Sequence, residues 1–521
     1  MDGRLKFYGW GVQNTGLDEA ERGRLFLFLA DHFKIEPRFQ ASPQVTDIAL
    51  RDPRVTPPRS IAHLFQSDPY ERLLHTYGKS YPETVRAYAR DFSGAPDLVV
   101  LPRTETDISA VLDWASASKI AVIPFGCGSS VVGGIGPPVA EGFAGVVSLD
   151  LGQLDRVLEI DTTSRAARIQ AGIRGPAIEA ALKAHDMSLR HYPQSFEFST
   201  LGGWIATRSG GHFATLLTHI DDLVESIRTV TPAGTMESRR LPGSGAGPSP
   251  DRMIIGSEGA LGVIAEAWMR LQHRPRFRGG TVFGFPDFFA AARAVRAVGQ
   301  AGLYPSNLRL IDNNEAGIYG INNYEETLLI LAFESADHPV DAWMLRAVEL
   351  ILDHGGRQHP NESAALAWRL AFIRMPYARE LTVPLNVIND TFESAVTWDK
   401  FEAFHMAVSA ATREAMEEAT GRPGMVSTRF THVYPDGPAP YYTINALGTP
   451  GRLIEQWQHI KDRASSALLK AGGTITHHHA VGRHHMPWYR EQRPTLFGNA
   501  LDAAKTVLDP ARILNPGVLV P

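Results

Sequence analysis

The sequence holds one cysteine, Cys127, in 521 residues. That excludes an intramolecular disulfide framework and suits a reducing compartment. No run approaches the roughly 18 uninterrupted apolar residues that span a bilayer, and the start, MDGRLKFYGWGV, lacks the apolar core of a secretory signal. Charge of one sign is also missing: 51 Lys and Arg face 56 Asp and Glu, a net of −5, with the basic residues scattered. The cationic stripe that phosphate backbones require is absent, so no nucleic-acid partner is expected. There is no repeat of fixed period and no low-complexity tract. The chain ends VLVP, without a peroxisomal tail, and a cytoplasmic location is the default expectation. Peripheral membrane contact stays open, because amphipathic surfaces leave weak traces in a sequence.

What is present is a globular composition, 44% hydrophobic and 21% charged, in a chain too long for one ordinary core. The pattern divides it at 1–90 (mostly helical), 91–276, 277–476 and 477–521. From Asp97 a strand (DLVVL) leads to Thr104 as an N-cap with Asp107 in the first turn. Ile108, Val111, Leu112 and Ala115 follow at helical spacing, and then a strand, AVIPF. This βαβ unit runs into the small-residue turn GCGSS. Further β-rich sequence follows, with a helix from about Gly175 to His185 and a second small-residue segment, STLGGWIATRSGG. LPGSGAGPSPD reads as an exposed loop, and MIIGSEGALGVIAEAWMRL as a Gly-rich turn between a short strand and a final one. From Phe277, helices alternate with apolar strands, which predicts a sheet covered by helices. One helix and a Pro-punctuated end close the chain.

PFGCGSSVVGG needs its glycines if its backbone wraps a phosphate, since N–H groups must converge without Cβ atoms between them; an ordinary turn after a strand is the alternative. It is not a Rossmann fingerprint, because Val131 stands where the third glycine belongs. Nor is GKS at 78–80 a Walker A loop, since Leu73 takes the place of the first glycine. Two further Gly-rich stretches follow in order, PQSFEFSTLGGWIATRSGG and GSEGALGVI. A zinc site is the sharp alternative for so many histidines, His477, His478 and His479 with His432, His484 and His485 also available, but there is no adjacent cysteine and no HExxH-type spacing, so no metal is expected.

In order and spacing, these three stretches resemble the FAD domain of the vanillyl-alcohol-oxidase family. The resemblance implies an α+β fold: a PCMH-type two-subdomain FAD-binding domain plus an α/β cap domain whose antiparallel sheet is covered by helices. It assigns FAD, held non-covalently, to three groups of residues. The first loop gives Pro124, Gly126, Cys127, Gly128, Ser129, Ser130 and Val131. The second gives Pro193, Ser199, Thr200, Gly202, Gly203, Ala206 and Thr207. The third gives Glu258, Gly259, Gly262 and Ile264. Cys127 replaces the middle glycine of the usual GGG turn.

Within that family the whole chain resembles the alkyldihydroxyacetonephosphate synthases. The carriers are FYGWG, HTYGKSYPE, EFSTLGGWIATR, DDLVESIRTVTPAGT, NLRLIDN, YARE with WDKF downstream, and ITHHHAVGR. The implied reaction replaces the acyl chain of an acyl-dihydroxyacetone phosphate by a fatty alcohol through a flavin N5 adduct, and a homodimer is expected. The implied catalytic residues are Arg309, Arg379, Tyr441 and the run His477, His478 and His479. Guanidinium forks suit phosphate or carboxylate, though each arginine could instead pair with a carboxylate. Tyr441, alone, would read as strand core; beside a base or cation its pKa could fall enough for proton transfer. In an extended segment at most two of the three histidines face one site. His478 and His479 are the favoured pair, one acting by side chain and the other by backbone. In SGGHFATLLTHIDD, His212 is placed near the predicted flavin.

The runner-up is a 2-hydroxy-acid dehydrogenase or oxidase of D-lactate or glycolate type, because VLDPARILNPG resembles the tail of those enzymes. They carry HxGDGNxH, whereas HVYPDGPAPYYT here lacks the second histidine, which weakens this reading. Oxidation of a phenolic alcohol and a non-catalytic flavin-binding scaffold are further alternatives.

Overall fold

A computed structural model describes residues 3–36, 40–136, 142–318, 321, 325–359 and 364–520. The βαβ unit forms as expected. Thr104 and Asp107 make a reciprocal capping box on helix Glu105–Ser118, which buries Ile108, Val111, Leu112 and Ala115. The strands Leu98–Val100 and Ile120–Phe125 both pair in parallel with Gly145–Asp150, which lies between them. Phe65–Gln66 closes one edge antiparallel. A five-stranded antiparallel sheet adjoins it, ordered Val157–Asp161, Ala166–Gln170, Val263–Arg270, Val224–Thr231 and Gly234–Glu237. The two sheets share one apolar core, with Val147, Ile169, Leu201 and Val263 among its fully or nearly fully buried members.

The short strand expected before the third Gly-rich stretch is instead a helix, Pro250–Ile254. Ser249 accepts a hydrogen bond from the Arg252 amide, and Pro250 opens the first turn with φ already set. Likewise STLGGWIAT is mostly helix, Leu201–Thr207, capped by the Thr200 hydroxyl.

The seven-stranded antiparallel sheet runs Arg357–Gln358, Phe277–Phe285, Thr327–Ser335, Asn307–Ile311, Met425–Val433, Pro438–Leu447 and Val387–Glu393. Its strands alternate, apart from one irregularity between Phe430 and His432, and the alternation decides where the chemistry lies. Leu308, Leu310, Phe430, Tyr442, Ile444, Ile388 and Phe392 enter an apolar core with the helices Phe288–Gln300, Trp398–Thr420 and Leu453–Lys470. The opposite face carries Asn389, Thr391, Arg429, Tyr441 and Thr443. It too is shielded, because it floors a cavity against the FAD-type half of the fold. A row of polar side chains buried on a sheet face and turned into a cavity is a site in waiting. Among the described residues no helix is long and apolar enough to cross a membrane.

Candidate functional site

The cavity encloses about 2210 Å³ of empty space, its mouth included. Every residue predicted for the cofactor lines it, as do Arg309, Arg379, Tyr441, His478 and His479; His477 alone lies behind the wall. At one end the strand Ile120–Phe125 delivers the loop Gly126–Val131. An added Cβ at Gly126 would collide with Thr200 Oγ1, and Gly259 sits at φ +75° with Pro124 where its Cβ would go. Glu258 is buried beside this loop and accepts the amides of Val481 and Gly482. Burial pushes its carboxyl up to about 7 even against those two donors.

Burial also raises the Cys127 thiol to about 11, which keeps it protonated and poorly nucleophilic. Lys79 approaches from the other side and donates to the Lys6 carbonyl at 3.0 Å; its pKa is lowered to about 8 by burial. Gly9 and Trp10 complete this wall. The hairpin that bears them is fixed by Lys6, which pairs with Glu380 at 2.8 Å.

The other end is polar and rigid. Arg309 is 1% exposed, yet its Nε and Nη1 have no hydrogen-bond partner among the described residues, and its Nη2 reaches only the His212 carbonyl, at 3.4 Å. Burial and the nearby Arg429 lower its pKa to about 9. Arg379 is already engaged, with Asp390 at 2.6 Å and with the Lys79 carbonyl. His212 does not line the cavity; its ring packs beside Phe372.

Tyr441 stands in a cross-strand row, opposite Arg429 on one neighbour and Glu393 on the other. The Arg429 guanidinium lies 3.9 Å over its ring and pairs with the buried Glu315. The Tyr441 hydroxyl donates to Thr391 at 3.0 Å. Contrary to expectation its pKa is raised: burial outweighs the opposing pull of Arg429.

The histidine run is not extended. It bends around Glu393, whose carboxylate accepts the amides of His477, His478 and His479 and the Thr476 hydroxyl. Burial would raise Glu393, but His479, His477 and these donors hold it down to about 2. With the amides occupied, His478 and His479 can act only through their rings. His479 sits with Nδ1 3.6 Å from Glu393, and burial lowers its pKa, which favours the neutral imidazole.

Sequence reasoning missed Arg429, Lys79, Trp10, Thr391 and Glu393. Lys79 and Trp10 lay inside HTYGKSYPE and FYGWG, quoted above as whole segments. It also missed that His432 joins His477 and His478. A register shift between Phe430 and His432 places both Thr431 and His432 on the cavity side.

Comparison with known proteins sharpens this picture. Residues 96–238 match the FAD binding domain family, and residues 274–519 the C-terminal domain family of FAD linked oxidases. The alkyldihydroxyacetonephosphate synthase of Dictyostelium discoideum is 30% identical over 88% of this chain and 78% of the relative. The glycolate oxidase subunit GlcD of Bacillus subtilis is 25% identical over 82% and 89%, respectively. A solved alkyldihydroxyacetonephosphate synthase superposes with a TM-score of 0.81 at 25% identity, covering 98% of each chain.

The cofactor is FAD, and the residues present fit it: the Gly126 loop lines the cavity pressed so closely on Thr200, which lines it too, that a single methyl would force the two apart. Gly126→Ala should therefore fold with most of its flavin lost, measured as the ratio of flavin to protein absorbance. A thiol held protonated by burial also makes Cys127 a poor nucleophile toward the flavin. Acid precipitation should release all FAD into the supernatant, and Cys127→Ala should keep it.

Proposed function

The chain belongs to the alkyldihydroxyacetonephosphate synthase family of FAD-dependent enzymes, and from that premise we propose that it exchanges the acyl chain of an acyl-dihydroxyacetone phosphate for a fatty alcohol. The observation that carries this reading is Arg309, a buried guanidinium with two unpaired nitrogens at the cavity wall. Such a group calls for an anionic ligand, and phosphate suits its fork.

When bound, FAD supplies an electron-rich ring nitrogen as nucleophile and leaving group, without net redox change. The protein supplies the rest. Arg309 binds the phosphate. Arg379, held by Asp390, fixes the neighbouring wall. His479, neutral and backed by Glu393, takes the proton from the substrate carbon. Tyr441, a phenol in the resting site, donates to the departing oxygen. Trp10 and Phe372 keep water from the reacting carbon. In this reading residues 91–276 hold the cofactor, 277–476 supply the substrate groups, and 477–521 return the histidine run to the flavin.

The test is anaerobic mixing with palmitoyl-dihydroxyacetone phosphate. We expect the flavin to bleach with release of one equivalent of palmitate, and a parallel aerobic assay to consume no oxygen. Flavin reduction by D-lactate or a 4-alkylphenol, reversed by an electron acceptor, would overturn the reading and leave the fold assignment standing.

A further inference from the structure

Three histidines from two segments meet at the polar end of the cavity. His432 comes from the strand Met425–Val433, while His477 and His478 come from the bend around Glu393. One ring nitrogen from each lies within 4.8 Å of the others. The hydrogen bonds show which nitrogens are free to bind a ligand.

His432 is 2% exposed, and its Nε2 donates to the Gly211 carbonyl at 2.9 Å, since a carbonyl can only accept. That fixes the tautomer and leaves a lone pair on Nδ1, which has no partner among the described residues. His477 Nε2 lies 2.7 Å from the Tyr434 hydroxyl, and its Nδ1 faces His478 Nδ1 at 3.0 Å. Two imidazole nitrogens this close either share one proton or point their lone pairs at one cation.

We propose that His432, His477 and His478 form a binding site for an imidazole-preferring divalent transition metal, of which Zn²⁺ is the reference case. Zn–N bonds of about 2.0–2.1 Å in tetrahedral geometry put ligand nitrogens roughly 3.3 Å apart. The His477–His478 pair, at 3.0 Å, is close to that separation, while His432, whose nitrogen lies within 4.8 Å of theirs, closes in on the ion by turning its ring.

The surroundings match those of a metal centre. Gly211 and Tyr434 orient the outer nitrogens of His432 and His477, as outer-shell partners of metal-bound histidines do. Glu393 pins the backbone of the bend and lies 3.7 Å from His478 Nδ1, which supplies negative charge beside the cation. His219 is outside the set because both its ring nitrogens are engaged, Nε2 with the His477 carbonyl at 3.0 Å and Nδ1 with the Thr218 and Tyr434 hydroxyls. Three protein ligands leave a position open. Because His432 and His478 line the cavity, that position faces the space shared with Arg309 and Tyr441, where a substrate oxygen would enter.

The inference does not depend on the alkyl exchange proposed above, and its test needs no substrate. The FAD-loaded protein is stripped with EDTA, dialysed, and titrated with ZnCl₂ by calorimetry, with metal content read by mass spectrometry. One equivalent should bind, and affinity should fall at least 100-fold in His432→Ala and in the more conservative His432→Gln. Both variants should keep the wild-type flavin spectrum, which shows that they fold. No binding of Zn²⁺, Co²⁺ or Ni²⁺ by the stripped protein would overturn the proposal. So would one equivalent that persists undiminished in both variants, since the metal would then sit elsewhere, such as at His484 and His485.

Discussion

Replacing Arg309 with methionine should lower kcat/KM by about 30- to 4,000-fold while leaving the substrate-free protein equally or more stable. Both halves follow from one fact: the guanidinium is buried with two nitrogens unsatisfied. Truncating one partner of a buried charge pair costs about 2–5 kcal/mol in the complex, which at about 1.4 kcal/mol per decade sets the expected loss. Without substrate the pair does not exist, and the desolvated cation is a burden that shows in a pKa held down to about 9. An apolar side chain of similar volume at such a site is often neutral or stabilising by about 1–4 kcal/mol. Steady-state kinetics and thermal melts of the holoenzyme check the two halves together. A variant that melts several degrees lower would make Arg309 structural, and one with unchanged kcat/KM would remove it from substrate binding.

Arg309 was legible in the sequence only through its segment, NLRLIDN, because nothing in five residues of strand says that a side chain will lack a carboxylate. The cofactor loops were easier to read. Gly126, Gly128 and Gly259 act through the backbone they leave bare, so local sequence carries their meaning. The helix Glu105–Ser118 was readable for the same reason, its cap and apolar spacing being local. What stayed hidden depends on register between distant segments. Arg429 meets Tyr441 across a strand pair, and only pairing tells that a tyrosine in YYTINAL lies under a guanidinium. His432 and His477 lie 45 residues apart in sequence, and a ladder irregularity brings them together. The histidine run read as extended because no local signal marks a bend held by a carboxylate in another strand; Glu393 supplies that bend.

The row Arg429–Tyr441–Glu393 yields the second large effect, and it separates chemistry from architecture. Tyr441→Phe removes one oxygen and keeps the ring on which Arg429 stacks, so packing and the Arg429–Glu315 ion pair survive. The lost hydrogen bond to Thr391 costs stability only about 1 kcal/mol. If the phenol donates a proton during turnover, kcat should fall by about 10²- to 10⁴-fold with KM changed little. Arg429→Met at the neighbouring position should behave differently, because it strands Glu315 as a fully buried carboxylate that keeps the Ser427 hydroxyl but loses its cation. Breaking such a pair costs about 3–5 kcal/mol, and the melting temperature should drop with activity. A Tyr441→Phe enzyme that turns over within threefold of wild type would move the proton donor to another group. A Tyr441→Phe enzyme as unstable as Arg429→Met would make the hydroxyl part of the scaffold. The expected outcome, full stability with kcat lost, leaves the raised pKa of Tyr441 as the property that matters: burial keeps the proton on the phenol until the substrate needs it.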